Sequence, residues 1–196
     1  MQIDYLDHLN DHLLFPAVEL YFNSLKEKLE PILGSDERAK KLLAKSVAAD
    51  QCIAAVHEGK IIGILGVQTK DGGFVNPSLK TMTSIYGKIG GVIRLAGLAL
   101  LYHRTKTGEV YVDGVAVHPA MRGKGIGTKL LEVLESKALE RQMKVITLDV
   151  IDTNPKAKAL YKRLGFIEIK KEDIRPLNRF IKLPFKSVTF MEKIIA

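Results

Sequence analysis

Apolar positions Leu14, Val18, Tyr21, Phe22, Leu25 and Leu29 fall on one face of a helix over residues 12–29. Pro31 is expected to stop that helix, because proline lacks the backbone N–H and clashes with the preceding turn. Ser35-Asp36-Glu37 then reads as an N-cap with an acidic first turn, opening a second helix that buries Ala39, Leu42, Leu43 and Val47. The period changes after that. Cys52–Val56 and Ile61–Val67 are short apolar runs joined by Glu58-Gly59, which predicts an antiparallel hairpin closing at Asp71-Gly72-Gly73. Helical spacing returns between Gly72 and Gly108 through Met82, Ile85, Tyr86, Ile89, Ile93, Ala96 and Leu100, with Gly90-Gly91 expected to divide it into two helices. Val110–Val117 is the next strand, and Leu130, Leu131, Leu134 and Ala138 mark the buried face of a helix after it. Val145–Val150 is a buried strand, and Pro155–Leu164 a short helix capped by Gly165. Phe166–Ile169 and Phe185–Ile194 close the chain as two strands around a basic loop.

This order predicts an α/β (α+β) fold, a mixed sheet with helices packed on it, as one domain over residues 1–196 with a helical insertion at 72–108. The strand, turn, helix, strand unit from 110 to 150 is a right-handed crossover, so its two strands should run parallel.

With 196 residues and 46% apolar content, the chain fills one core without disulfides or metal. The single cysteine, Cys52, lies within an apolar run and reads as a small buried hydrophobe. His8, His12, His57, His103 and His118 show no coordinating spacing with cysteine or carboxylate, so no metal is expected. The net charge of +8 raises nucleic acid, an anionic membrane and a phosphorylated ligand as partners. No basic helical stripe or aromatic platform accompanies it, which argues against nucleic acid. Ile85–Leu101 is nearly uncharged, but it contains Lys88, Arg94 and four glycines and is shorter than the ~20 residues of a membrane span. No membrane partner is expected. The N-terminus has neither the basic start nor the apolar core of a signal peptide, which points to a cytoplasmic protein.

The positive charge matters most at Arg122-Gly123-Lys124-Gly125-Ile126-Gly127-Thr128, between the strand ending Val115-Ala116-Val117-His118-Pro119 and an amphipathic helix. Backbone donors at a glycine-rich helix N-terminus form an anion cradle, and no carboxylate occurs between Val115 and Leu131 to repel a pyrophosphate. A Walker loop is excluded because Lys124 is followed by Gly125, and a dinucleotide fingerprint because the glycines stand at single gaps. Arg-x-x-Gly-x-Gly after that strand resembles the GNAT superfamily of acyl-CoA-dependent N-acyltransferases. Asn154, Leu160-Tyr161 and Leu164-Gly165-Phe166 look like the second signature of that family, and the element order agrees over nearly the whole chain. The insertion departs from it and puts acceptor specificity in doubt.

The resemblance implies a mostly antiparallel sheet of six or seven strands with helices on both faces and a V-shaped split between the fourth and fifth strands. It implies acetyl-CoA as co-substrate, with the pantetheine arm in the split pairing with the edge groups of the Val115, Ala116, Val117 segment. The amides of Gly123, Lys124, Gly125, Ile126, Gly127 and Thr128 would take the pyrophosphate. Arg122 would contact phosphate or shape the loop, and Lys124 would contact phosphate or stay solvated. Tyr161 matches the family position of the general acid for the coenzyme A thiolate, and Asn154 would hold pantetheine or cap its helix. Glu109, Tyr111 and Asp113 share one strand face by period two. Tyr111 stands where some members carry a catalytic glutamate, which shifts the general base to Asp113, then Glu109, unless water serves.

Two function classes follow. The first is an N-acetyltransferase that moves acetyl from acetyl-CoA to a primary amine, on a small molecule or a peptide, by direct attack in a ternary complex. The second is a non-catalytic acyl-CoA-binding sensor, against which Tyr161 and Asn154 argue. The insertion should wall the acceptor side or form a homodimer contact, and Arg175 and Arg179 in the loop 170–184 raise an anionic acceptor group.

Overall fold

A computed structural model describes residues 2–35, 37–179 and 181–196. Asp36, the central residue of the expected N-cap, lies outside them. The chain runs β1 (Asp4–Leu6), α1 (Asp11–Ser24), α2 (Lys26–Leu33), α3 (Glu37–Ala44), β2 (Cys52–His57), β3 (Lys60–Thr69) and β4 (Gly72–Gly73). It continues α4 (Leu79–Tyr86), α5 (Lys88–Ala99), β5 (Glu109–Val117), α6 (Ile126–Glu140), β6 (Val145–Ile151), α7 (Pro155–Arg163), β7 (Ile167–Asp173) and β8 (Ser187–Ile194), with single 3-10 turns at Pro119–Met121 and Leu177–Arg179.

All eight strands join one sheet in the order β1-β2-β3-β5-β6-β8-β7, with β4 beside β3. The three-residue β1 and the two-residue β4 take it beyond the six or seven strands expected. Among the described residues only β5 and β6 pair in parallel, as the crossover through α6 requires. Glu58 and Gly59 both take positive φ, +49° and +72°, which suits the two-residue turn joining β2 to β3.

The first helix departs from expectation. It breaks at Leu25, whose φ of −104° and ψ of 19° end α1, and α2 then carries Pro31 inside it and stops only at Gly34. Proline costs α2 one hydrogen bond, but burial of Ile32 and Leu33 holds the turn beyond it. The break re-aims α2, so that Lys28 reaches β6.

The insertion breaks at Gly87, with φ +75°, rather than at Gly90-Gly91, which lie within α5. Close packing explains Gly91 and, further along α5, Gly97: a Cβ on Gly91 would stand 2.7 Å from the Thr83 backbone nitrogen, and one on Gly97 2.9 Å from Ile32 Cγ2. Gly91→Ala should therefore push α5 off α4 and destabilise the protein by about 1–3 kcal/mol, the usual cost of overpacking, read by urea unfolding. The outer face of α5, with Ile89, Val92 and Ile93, remains exposed.

One core lies between the sheet and α6, including Ile53, Leu65, Val110, Val112, Leu130 and Leu148. On the opposite face α1 packs Leu13, Ala17 and Tyr21 over Ala54, Ile64 and Ala116, and α3 and α4 extend that side through Leu42, Leu43 and Met82. Helices thus cover both faces. Among the described residues no helix is long and apolar enough to cross a membrane.

Candidate active site

Strands β5 and β6 pair only from Glu109–Val112 against Val145–Leu148. Beyond that point β5 stays with β3 through Val117 and β6 stays with β8 through Ile151, so the two part and leave facing edges. The V-shaped split falls here. A bulge sits at its vertex: Gly66 pairs with Gly114 and Val67 with Val112, so Asp113 is the extra residue on β5.

The bulge resets the strand. Before it, Glu109, Tyr111 and Asp113 share the face away from the α6 core. After it, Val115 and Val117 turn their side chains to that core and Ala116 turns to α1. His118 N donates to Ile62 O at 2.9 Å, so by antiparallel alternation the polar backbone groups of Val115 and Val117 point into the split.

The glycine turn stands at the wide end. Gly123 and Gly125 take φ of +78° and +80°, and Gly125 is the N-cap of α6. Among the described residues the backbone N–H groups from Gly123 through Gly125, Ile126, Gly127 and Thr128 have no acceptor, the first helical bond being Lys129 N to Gly125 O. Six consecutive free donors at the positive end of a fifteen-residue helix, with no acid in its first turn, suit a pyrophosphate. Arg122 donates from Nε to Val117 O at 3.1 Å, tying the turn to the strand end, and the exposed Lys124 donates to Met121 Sδ. Asn154 caps α7 by accepting from Ala157 N at 3.2 Å.

A cavity of about 650 Å³ fills the split between these edges and the α1–α2 break. Its wall includes Asp113, Val115, Asp149, Asn154 and Tyr161, together with Lys28. Tyr161 is 8% exposed and packs against Phe166, yet its hydroxyl has no hydrogen-bond partner among the described residues. Burial, with the Asp149 charge adding to it, pushes its phenol well above the ordinary value, so it stays protonated throughout the neutral range.

Two carboxylates face each other at the vertex. Asp113 Oδ2 accepts from the Tyr21 hydroxyl at 2.8 Å, and Asp149 takes the Lys28 ammonium at 2.6 Å and the Tyr111 hydroxyl. Burial raises the Asp113 carboxyl above the usual carboxylate range, despite the Tyr21 hydroxyl and the Lys28 charge. Burial acts on Asp149 in the same sense, but Lys28 and Tyr111 outweigh it and hold that group low. Glu109 stands apart from this cluster, at the closed end. Its oxygens accept from Thr147 Oγ1 at 2.5 Å and Lys106 N at 2.8 Å, and His103 Nε2 lies 2.9 Å away.

The structure thus brings Asp113, Tyr161, Asn154 and the edge of Val115 to one cavity and leaves Glu109 outside it. It adds Tyr21, Lys28 and Asp149, which the sequence reading missed. Asp149 had a signal: Thr147 and Asp149 alternate along β6 opposite the Glu109–Asp113 face. Arg175 does not reach the site, since it is exposed and forks onto Asp173. Cys52 lies on β2, two strands from β5, where burial pushes its thiol up to about 12.

A family model described as acetyltransferase (GNAT) family matches residues 17–166. A mouse (Mus musculus) thialysine N-epsilon-acetyltransferase is 35% identical over 85 residues, 43% of this chain and 50% of the relative. The chain spans half or less of the length of this relative and of its pig and cattle counterparts. Among solved structures, a GCN5-related N-acetyltransferase from Kribbella flavida superposes with a TM-score of 0.64 at 13% identity, covering 98% of this chain and 97% of that one. An acetyltransferase of the GNAT family from Staphylococcus aureus gives 0.60 at 17% identity, covering all of both chains.

Proposed function

This chain belongs to the GNAT acetyltransferase family, and from that premise we propose that it transfers an acetyl group from acetyl-CoA to a primary amine by direct attack within a ternary complex. One observation carries the reading: a single cavity joins an unpaired strand edge, an uncommitted buried phenol and a carboxylate of raised pKa. Acetyl-CoA supplies an activated acyl carbon and a thiolate leaving group. The protein's own groups bind and orient around it. The six amides of the glycine turn hold the pyrophosphate, and the edge groups of Val115 and Val117 hold the amides of the pantetheine arm as an added strand would.

The chemistry needs a neutral amine and a protonated thiol. Asp113 faces the cavity at the vertex, and its Oδ1 has no partner among the described residues, so it accepts a proton from the incoming ammonium, directly or through one water. The amine then attacks the thioester carbonyl, the carbon–sulfur bond breaks, and the Tyr161 hydroxyl donates to the sulfur as its charge develops. Glu109 is assigned to positioning: its bonds to Lys106 N and His103 fasten the segment after α5 to the sheet.

The reading against a binding-only module is tested by thiol release. Purified protein with acetyl-CoA should liberate free thiol on addition of a primary-amine library and yield the N-acetylated amine by mass spectrometry. Tight acetyl-CoA binding with no thiol released by any amine would establish the module instead.

A further inference from the structure

A second cavity of about 210 Å³ opens from the vertex, between the α1–α2 break and the inner face of α5. It shares Leu25, Lys28 and Asp113 with the split, so whatever occupies it reaches the reacting end. The insertion supplies much of its wall, through Leu95, Leu98, Ala99, Leu101 and Tyr102.

The polar groups on its lining are mostly spent on one another. The Tyr21 hydroxyl donates to Asp113, the Tyr111 hydroxyl and the Lys28 ammonium donate to Asp149, and Gln68 Nε2 donates to His103 O. What faces an occupant is mostly hydrocarbon, with one open carboxylate oxygen, Asp113 Oδ1, beside the split, and two neutral polar side chains on exposed residues, Asn76 and Tyr102. A second ammonium would find no further open carboxylate. A carboxylate or phosphate would find no free cation, because Lys28 is already paired.

Resting on the transferase reading above, we propose that this chamber is the acceptor site and that it takes a primary amine borne on an uncharged, mainly hydrocarbon body, an arylalkylamine or alkylamine rather than a polyamine, an amino acid or a sugar. Asp113 orients the single ammonium, and the α5 wall covers the apolar body. Removing that body from water supplies the selectivity, since each methylene enclosed favours binding and each buried unpaired charge opposes it.

Steady-state kinetics with acetyl-CoA and a panel of 2-phenylethylamine, hexylamine, methylamine, spermidine, lysine and glucosamine test this. The kcat/KM for 2-phenylethylamine and hexylamine should exceed that for the charged and sugar amines by roughly tenfold or more. Ala99→Trp, at an exposed position on the chamber wall, should lower the ratio of kcat/KM for 2-phenylethylamine to that for methylamine by roughly tenfold, with folding checked by circular dichroism. Preference for spermidine, lysine or glucosamine, or a ratio that Ala99→Trp leaves unmoved in folded protein, would overturn the chamber while leaving the transferase standing. Thiol release by none of the amines would overturn both.

Discussion

Tyr161→Phe should lower kcat by about two orders of magnitude or more, the typical contribution of a positioned general acid. Its melting temperature should stay within about 2 °C of the parent, because a change that keeps the packing and leaves no buried group unpaired is worth about half a kcal/mol. The two expectations belong together. The hydroxyl has no hydrogen-bond partner among the described residues, so removing it strands no buried group, while the ring and its packing on Phe166 remain. A tyrosine kept only for the core would retain turnover as well as stability in the Phe variant, because the ring and its packing on Phe166 are unchanged. Because burial holds the phenol well above its ordinary value, the parent should show no falling alkaline limb from Tyr161 below about pH 10. An unchanged kcat in the Phe variant would assign the proton on sulfur to water.

The succession of elements from α1 onward, the parallel β5–β6 crossover and the glycine turn were legible because each rests on local chemistry: period two, period 3.6, or a run of glycines before an apolar helix. The common face of Glu109, Tyr111 and Asp113 was legible for the same reason. What periodicity could not carry was the division of that face. Glu109 lies where β5 and β6 are still paired, so Thr147 and Lys106 consume its oxygens, whereas Asp113 lies on the bulge where pairing ends. The one local mark of the bulge in β5 is Gly114, which pairs with Gly66, and a strand glycine does not by itself say which neighbour is the extra residue. The break at Leu25 escaped similarly. Pro31 was the stronger local signal, yet tertiary packing of Ile32 and Leu33 carried α2 past it, and only the turned helix brings Lys28 to Asp149. Gly90-Gly91 misled because glycine marks close helix packing as well as a helix end, and Thr83 shows which applies.

The carboxylate pair at the vertex should respond to neutralisation in opposite directions. Asp149 is held below its ordinary pKa by Lys28 and Tyr111, so its contribution to stability is present above the unfolded-state value and lost as pH falls through the depressed one. Asp149→Asn leaves the Lys28 ammonium largely buried without its counter-charge, a change that costs about 3 kcal/mol when a buried pair is broken. For a chain of this length that lowers the melting temperature by about 6–12 °C at pH 7. The deficit should narrow as pH is lowered toward the depressed carboxyl. Asp113 has the reverse sign. Its pKa is raised, so its contribution is full below the unfolded-state value and is lost as pH rises through the raised one; at neutral pH the ionised group opposes folding. Asp113→Asn keeps an acceptor for the Tyr21 hydroxyl and removes that charge. It should raise the melting temperature at pH 7 and lose the advantage in acid, while turnover falls because the amine no longer has its proton acceptor. Scanning calorimetry of both variants from about pH 2 to pH 8 reads the two signs, the Asp149 deficit narrowing only below the unfolded-state carboxylate value of about 4. A destabilised Asp113→Asn at neutral pH would mean that its carboxylate holds the sheet together and does not oppose folding.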